Sequence, residues 1–207
     1  MTGSAEHGFD QDYWEEHWRG AHGAGEDRPP NPYLDRELSG LVPGTALDAG
    51  CGEGAEARWL AAHGWQVTAA DISERVLARA AARSTPGPVR WVHADLGVWV
   101  PEQQFDLVTT HYAHPAMPQL AFYARIAGWV APGGTLLLVG HLHTPGATGH
   151  GHRPPAEAAV TLADVTAGLD PTAWEVVTAE ERVRSSGPAG HRAELRDVVV
   201  RARRRPG

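Results

Sequence analysis

An apolar run from Thr45 to Ala49 breaks abruptly into Gly50-Cys51-Gly52-Glu53-Gly54, and no other stretch constrains the fold as much. The five residues read as a buried strand. Directly after the glycines, Ala55 to His63 carries strong helix formers and stops at Gly64, a residue suited to the position just past a helix end. Strand, glycine turn and helix in that order let a backbone approach a nucleotide-like ligand closely. The turn satisfies G-x-G-x-x-G/A, a pattern that alone is a weak dinucleotide signal. Asp71 closes the next apolar run, Trp65 to Asp71, about 20 residues on, where a carboxylate can accept from ribose hydroxyls.

The same alternation continues on both sides. Asp12 to Trp18 is an aromatic-rich helical segment in which Trp14 and Trp18, four residues apart, share a face. His22 to Pro32 is a Gly- and Pro-rich loop, and Tyr33 to Leu38 a short helix. Ser73 caps a helix through Arg83. Val89 to Ala94 and Phe105 to Thr110 read as the third and fourth strands. A helix from about Met117 to Val130 is expected to stop before Pro132-Gly133-Gly134, with Thr135 to Val139 a fifth strand. Gly140 to Ala156 is a long loop, and Thr161 to Asp164 resembles a capping box. Trp174–Ala179 and Leu195–Arg203 have no helix between them, which predicts an antiparallel hairpin on one sheet edge. The whole predicts an α/β chain with a Rossmann-like, doubly wound, seven-stranded sheet, mostly parallel. Residues 1–40 are expected to form a helical, lid-like segment and residues 41–207 the main domain.

Composition narrows the function. With 207 residues the chain supports one α/β core. The net charge of −7 and the lack of a broad basic run disfavour nucleic acid as a partner. All eighteen basic residues are arginine, so a P-loop lysine or a Schiff base is excluded. Cys51 is the single cysteine, no apolar stretch approaches the roughly 18 residues of a membrane span, and Met1 to Asp12 is polar and acidic. A cytoplasmic protein without a membrane partner, monomeric or homodimeric, is the expectation.

Taken together, Asp48-x-Gly50-x-Gly52-x-Gly54, Asp71, Ala94-Asp95-Leu96 and Pro132-Gly133-Gly134 followed by a strand resemble class I S-adenosylmethionine-dependent methyltransferases. The aromatic N-terminal segment and small size look most like the tellurite-resistance and thiopurine-type branch. The resemblance implies S-adenosylmethionine as cofactor and a small-molecule methyl acceptor. It implies that Gly50 and Gly52, with Cys51 between them, pass under the methionine part, with Asp48 orienting its amino group. Asp71 would hold the ribose diol and Ile72 pack on the adenine. Asp95 and the Leu96 amide would read the adenine edge, and His111 line the sulfonium side. The third glycine, Gly54, is expected to matter less than the first two.

Methyl transfer from a sulfonium is an in-line displacement on an activated carbon, so the protein must align the acceptor, exclude water and, where needed, take a proton. Acceptor residues therefore belong at the carboxyl ends of the fourth and fifth strands. His111, Tyr112, His114, His141 and His143 lie there, and His111, His114 and His141 are the leading catalytic candidates. His141-x-His143 and His150-x-His152 have a spacing that also fits a metal, but no cysteine or nearby carboxylate reinforces it, and no metal is expected. Trp14 and Trp18 suit a lid over the cleft, with Trp18 near the cofactor, or a simple hydrophobic fastening of the first helix. A non-catalytic adenosyl-cofactor or metal-binding protein on the same fold is the alternative. A nicotinamide-dependent oxidoreductase is disfavoured because no Tyr-x-x-x-Lys pair is present.

Overall fold

The computed structural model describes residues 8–19, 29–84, 89–142, 158–186 and 193–207. In chain order the elements are α1 (Gln11–Arg19), α2 (Tyr33–Leu38), β1 (Thr45–Ala49), α3 (Ala55–Ala62), β2 (Gln66–Asp71), α4 (Glu74–Ala82), β3 (Val89–His93) and β4 (Phe105–His111). Then come α5 (Gln119–Ala127), β5 (Val130–Leu142), β6 (Ala159–Val160), α6 (Leu162–Ala167), β7 (Trp174–Ser186) and β8 (Ala193–Arg204). The sheet runs β3-β2-β1-β4-β5-β8-β7, with β6 beside the end of β5. β1 to β5 pair in parallel, whereas β8 is antiparallel to both β5 and β7. This is the expected mostly parallel sheet with a C-terminal hairpin. Among the described residues the continuous path has the expected seven strands, and two-residue β6, which carries no sequence pattern of its own, adds a short eighth beside β5.

Alternation along the strands divides the core between two faces. Leu136 and Leu138 of β5 join Phe122 and Ile126 of α5 and Val165 of α6 on one side. Leu137 and Val139 join Leu34 and Leu38 of α2, Leu60 of α3 and Leu77 of α4 on the other. Strands buried on both faces are what a parallel sheet flanked by helices requires. Ser73 Oγ accepts from the Val76 amide to cap α4, and Thr161 Oγ1 accepts from the Asp164 amide to cap α6, as the sequence predicts.

β5 departs from expectation at both ends, since it also runs on to Leu142, three residues into the expected loop. α5 ends at Ala127, and β5 begins at Val130 and runs through Pro132-Gly133-Gly134. The reason is a bulge: two steps along β4, Phe105 to Leu107, oppose five along β5, Val130 to Thr135. Gly133 at φ 79° supplies the left-handed turn this needs, and Pro132, which lacks a donor, is tolerated there. The hairpin is also longer than predicted. It continues to Ser186↔Ala193, while β5–β8 pairing stops at His141↔Asp197, so β7 and β8 pair on past the last β5–β8 pair.

Candidate active site

The glycine turn is fixed to β2 before anything binds to it. Gly50 and Cys51 donate to the Ala70 carbonyl at 2.8 and 3.0 Å, and Gly52 donates to Asp71 Oδ2 at 2.9 Å. Asp71 Oδ1 accepts from the Ser73 amide at 3.0 Å, so one carboxylate joins the turn to the start of α4. All three glycines have positive φ. Their side-chain space differs: a Cβ on Gly50 would overlap Ala113, and one on Gly54 would overlap Trp91. At Gly52 the nearest atom would be Trp18 Cζ2, at 3.6 Å. Gly54 is thus held as strictly by packing as Gly50, which corrects the expectation that it matters less. Gly52 is the one of the three where a Cβ would overlap nothing, meeting Trp18 at ordinary van der Waals distance.

Among the buried polar atoms without a partner are Asp48 Oδ2 and His111 Nδ1 at the strand ends, and Glu53 Oε2 in the turn itself. Asp48 is the penultimate residue of β1 and His111 the last of β4, two strands that pair directly through Asp48↔Thr109. Burial pushes the Asp48 carboxyl well above the ordinary carboxylate range, with Glu56 and Asp71 adding in the same direction. Burial also raises Asp71, and lowers His111, whose Nε2 lies 2.8 Å from Thr109 Oγ1. A ligand carrying an ammonium group would satisfy Asp48 Oδ2, so the donor set fits the amino-acid end of S-adenosylmethionine. Cys51 is buried and its thiol is pushed up strongly by burial, which leaves it protonated and unsuited as a nucleophile.

Of the residues expected on an adenine side, Ile72 is half-buried. Asp95 Oδ1 accepts from the Gly97 amide at 2.8 Å, closing its own turn. Leu96 is buried, with its carbonyl held by Arg125 Nε at 2.9 Å.

α1 crosses the open side of the turn. Trp14 Nε1 donates to the His114 carbonyl at 3.2 Å, and Glu15 meets the start of α4 through the Arg75 amide (3.4 Å) and guanidinium. Trp18 of the same helix is the side chain over Gly52. α1 has no buried residue, in contrast to α2, whose Tyr33, Leu34, Glu37 and Leu38 are all buried.

Beyond the cofactor turn, the ends of β4 and β5 meet the hairpin. Tyr112 has φ 57°, a left-handed conformation unusual for an aromatic residue. Its ring stacks on His141 with centroids 4.6 Å apart, and the Arg184 guanidinium lies 4.8 Å from the same ring. The Tyr112 hydroxyl accepts from Arg184 Nε (3.1 Å) and Asn31 Nδ2 (3.4 Å). Arg184 also donates to Asp197 Oδ2 at 2.7 Å, as does the Tyr33 hydroxyl at 3.0 Å, while Asp197 Oδ1 is buried without a partner. Burial and then Asp197 push the Tyr33 phenol up to about 12, and burial raises Tyr112 further.

His114 and His141 lie 5.5 Å apart by ring centroids, and Phe9 lies 5.7 Å from His114. Burial lowers His114, and it lowers His141 to about 4, helped by His114 and Arg184. His143, His150 and His152 lie outside the described residues. Among the described residues no three His, Cys, Asp or Glu side chains group as metal ligands. Concavities of about 340 and 460 Å³ sit instead by Thr68, Arg90 and Gln103, toward the amino ends of β2 and β3.

Sequence reasoning therefore brought together Asp48, Gly52, Asp71 and His111, and separately His114 and His141. It missed Asn31, Tyr33, Arg184 and Asp197. A single carboxylate opening the apolar run Val198 to Val200 was the one local signal for Asp197.

Residues 46–134 match a family described as a methyltransferase domain. An uncharacterised methyltransferase of Mycobacterium tuberculosis (strain H37Rv) is 41% identical over 114 residues, covering 53% of this chain and 58% of that protein. The chain thus spans little more than half the length of this relative. A trans-aconitate 2-methyltransferase of Streptomyces avermitilis is 35% identical over 104 residues, covering 45% and 38%. Among solved structures, the N-methyltransferase NodS of Bradyrhizobium japonicum in complex with S-adenosyl-L-homocysteine superposes with a TM-score of 0.65 at 19% identity. The superposition covers 92% of this chain and 97% of that one, a likeness of fold.

Proposed function

We propose, from the premise that this chain carries a class I S-adenosylmethionine-dependent methyltransferase domain, that it transfers a methyl group to a small-molecule acceptor. The cofactor would supply an electrophilic methyl carbon on a sulfonium. The observation that carries the reading is the pair of unpartnered buried atoms, Asp48 Oδ2 and His111 Nδ1, on two directly paired strands next to the glycine turn. Asp48 takes the ligand's ammonium, Gly52 admits its chain, and the free acceptor capacity of Asp71 takes a ribose hydroxyl. Ile72, Asp95 and Leu96 line the adenine side, and Trp18 on α1 covers the turn and keeps water out. Of the predicted N-terminal lid, α1 is the part that covers the turn, since α2 is built into the core.

The acceptor lies at the ends of β4 and β5, where His111, His114 and His141 are all uncharged at neutral pH and available to take a proton. A small acceptor is supported by the short β3–β4 connection and by relatives such as the trans-aconitate enzyme. Calorimetry with S-adenosylmethionine, S-adenosylhomocysteine and NADH tests the premise. Binding of the first two with no response to NADH is expected, and NADH binding alone would overturn it.

A further inference from the structure

The sheet face that carries α5 is covered unevenly. Ala70 of β2 and Val92 of β3 pack there beneath Leu96, near the carboxyl ends of their strands. Thr68 and Arg90 precede them by two residues, share that face and sit opposite each other in the β2–β3 register. Strands of a parallel sheet are ordinarily covered on both faces. The connection from β3 to β4, residues 94–104, holds no helix, and β3 is the last strand on its side of the sheet. The amino half of the β2–β3 pair is therefore left as a concavity of about 340 Å³, lined by Thr68, Arg90, Val92, Trp99, Glu102 and Phe105 among others.

Its walls are of two kinds. Val92, Trp99 and Phe105 are apolar, whereas Arg90 and Glu102 carry opposite charges. Among the described residues neither charge is hydrogen-bonded or ion-paired, to the other or to any third group. Other arginines of this chain are tied down: Arg125 holds the Leu96 and Trp99 carbonyls, and Arg184 the Asp197 carboxylate. A simple anion on Arg90 would meet Glu102, and a simple cation on Glu102 would meet Arg90. An uncharged ligand would leave both unmatched. A dipolar ligand answers both. Arg90 and Thr68 stand three residues before His93 and Asp71, so the concavity lies about 10 Å down the strands from the cofactor end.

We propose that this concavity binds a free α-amino acid with a large apolar side chain. The carboxylate sits on Arg90, the ammonium on Glu102 and the side chain against Val92, Trp99 and Phe105. Two charge-assisted contacts fix the head group, and burial of the side chain adds the apolar part of the affinity. None of these residues belongs to the cofactor or acceptor groups above, so the site does not depend on the methyl-transfer reading.

Calorimetry on the full chain tests it with L-phenylalanine against 3-phenylpropionate, phenethylamine and glycine, which lack the ammonium, the carboxylate and the side chain respectively. L-Phenylalanine is expected to bind about tenfold more tightly than each of the three. Arg90→Gln and Glu102→Gln should each weaken it about tenfold with the melting temperature unchanged, since neither side chain bonds another described residue. Saturating S-adenosylhomocysteine beforehand should leave L-phenylalanine affinity as it was. The absence of saturable heat with millimolar L-phenylalanine overturns the proposal, as does equal binding of 3-phenylpropionate or unchanged affinity in both variants. Displacement of L-phenylalanine by S-adenosylhomocysteine also overturns it, because the amino acid would then occupy the glycine turn. That last result leaves the cofactor reading standing.

Discussion

The three glycines of the turn look interchangeable, yet their surroundings assign them different tasks. Gly54→Ala places a methyl group in Trp91 at a left-handed φ of 73°, and should cost about 3 kcal/mol of stability. Gly52→Ala meets only the strain of φ 51°, about 1–2 kcal/mol, because Trp18 at 3.6 Å is in van der Waals contact without overlap. Its expected effect is on the ligand: S-adenosylhomocysteine affinity should fall at least tenfold with a modest drop in melting temperature. Thermal melts with and without ligand separate the two, and a Gly52→Ala protein that binds normally would count against the cradle. Asp48 gives a second residue-level prediction. Its folded-state pKa is raised by burial, so the folded chain holds this proton more tightly than the unfolded chain. Stability from this group therefore falls as pH rises out of the ordinary carboxylate range through the raised value. Asp48→Asn carries no such penalty and should melt no lower than the parent at neutral pH without ligand. It should nevertheless weaken S-adenosylmethionine roughly 10- to 100-fold by losing a charge-assisted contact. Unchanged affinity in calorimetry would remove Asp48 from the site.

Elements differ in how far local sequence reveals them. β1, α3, β2 and α4 were readable to within a residue or so, because glycine, Ser73 and alternating apolar residues act over a few positions. The start of β5 was not readable, since Pro132-Gly133-Gly134 signals a break, and only pairing with β4 turns that break into a bulge. The cofactor side was legible for a similar reason: Asp48, Gly50, Gly52 and Asp71 lie within one strand–helix–strand unit. Tyr33 and Asp197 meet across 164 positions, and nothing near either residue announces the other. α1 is the element whose removal says most. It touches the body through Trp14, Glu15 and Trp18 and buries nothing completely. Deleting residues 1–19 should therefore leave the circular dichroism spectrum and cooperative unfolding intact while weakening S-adenosylhomocysteine by tenfold or more. Unchanged affinity would reduce α1 to a fastening. α2 behaves oppositely. Glu37 is buried, accepts from Thr178 Oγ1 at 2.8 Å and pairs with Arg36. Glu37→Gln should cost about 2 kcal/mol in denaturant unfolding, with ligand affinity preserved.

Across the whole molecule, burial acts on two sets of titratable groups in opposite senses. Asp48 and Asp71 are raised, whereas His111, His114 and His141 are lowered, the last to about 4. For the histidines the stability contribution is complete above their unfolded value of about 6.5 and is lost as pH falls through the lowered folded values. Turnover should follow the same direction. The rate at saturating cofactor should stay level through neutral pH and bend downward only well below pH 6.5. An acid limb centred at or above that value would mean that no lowered histidine takes part. The sheet order carries one more consequence, for how the chain is made. β8 is the last strand in chain order, yet it lies between β5 and β7. β5 ends at Leu142 and β8 begins at Ala193. At roughly 5–20 residues per second on the ribosome, the outer edge of β5 therefore waits for seconds with its backbone groups unpaired. Newly synthesised chains of this protein pass through a sticky half-sheet, and the pace of translation over that interval becomes part of how it reaches its fold.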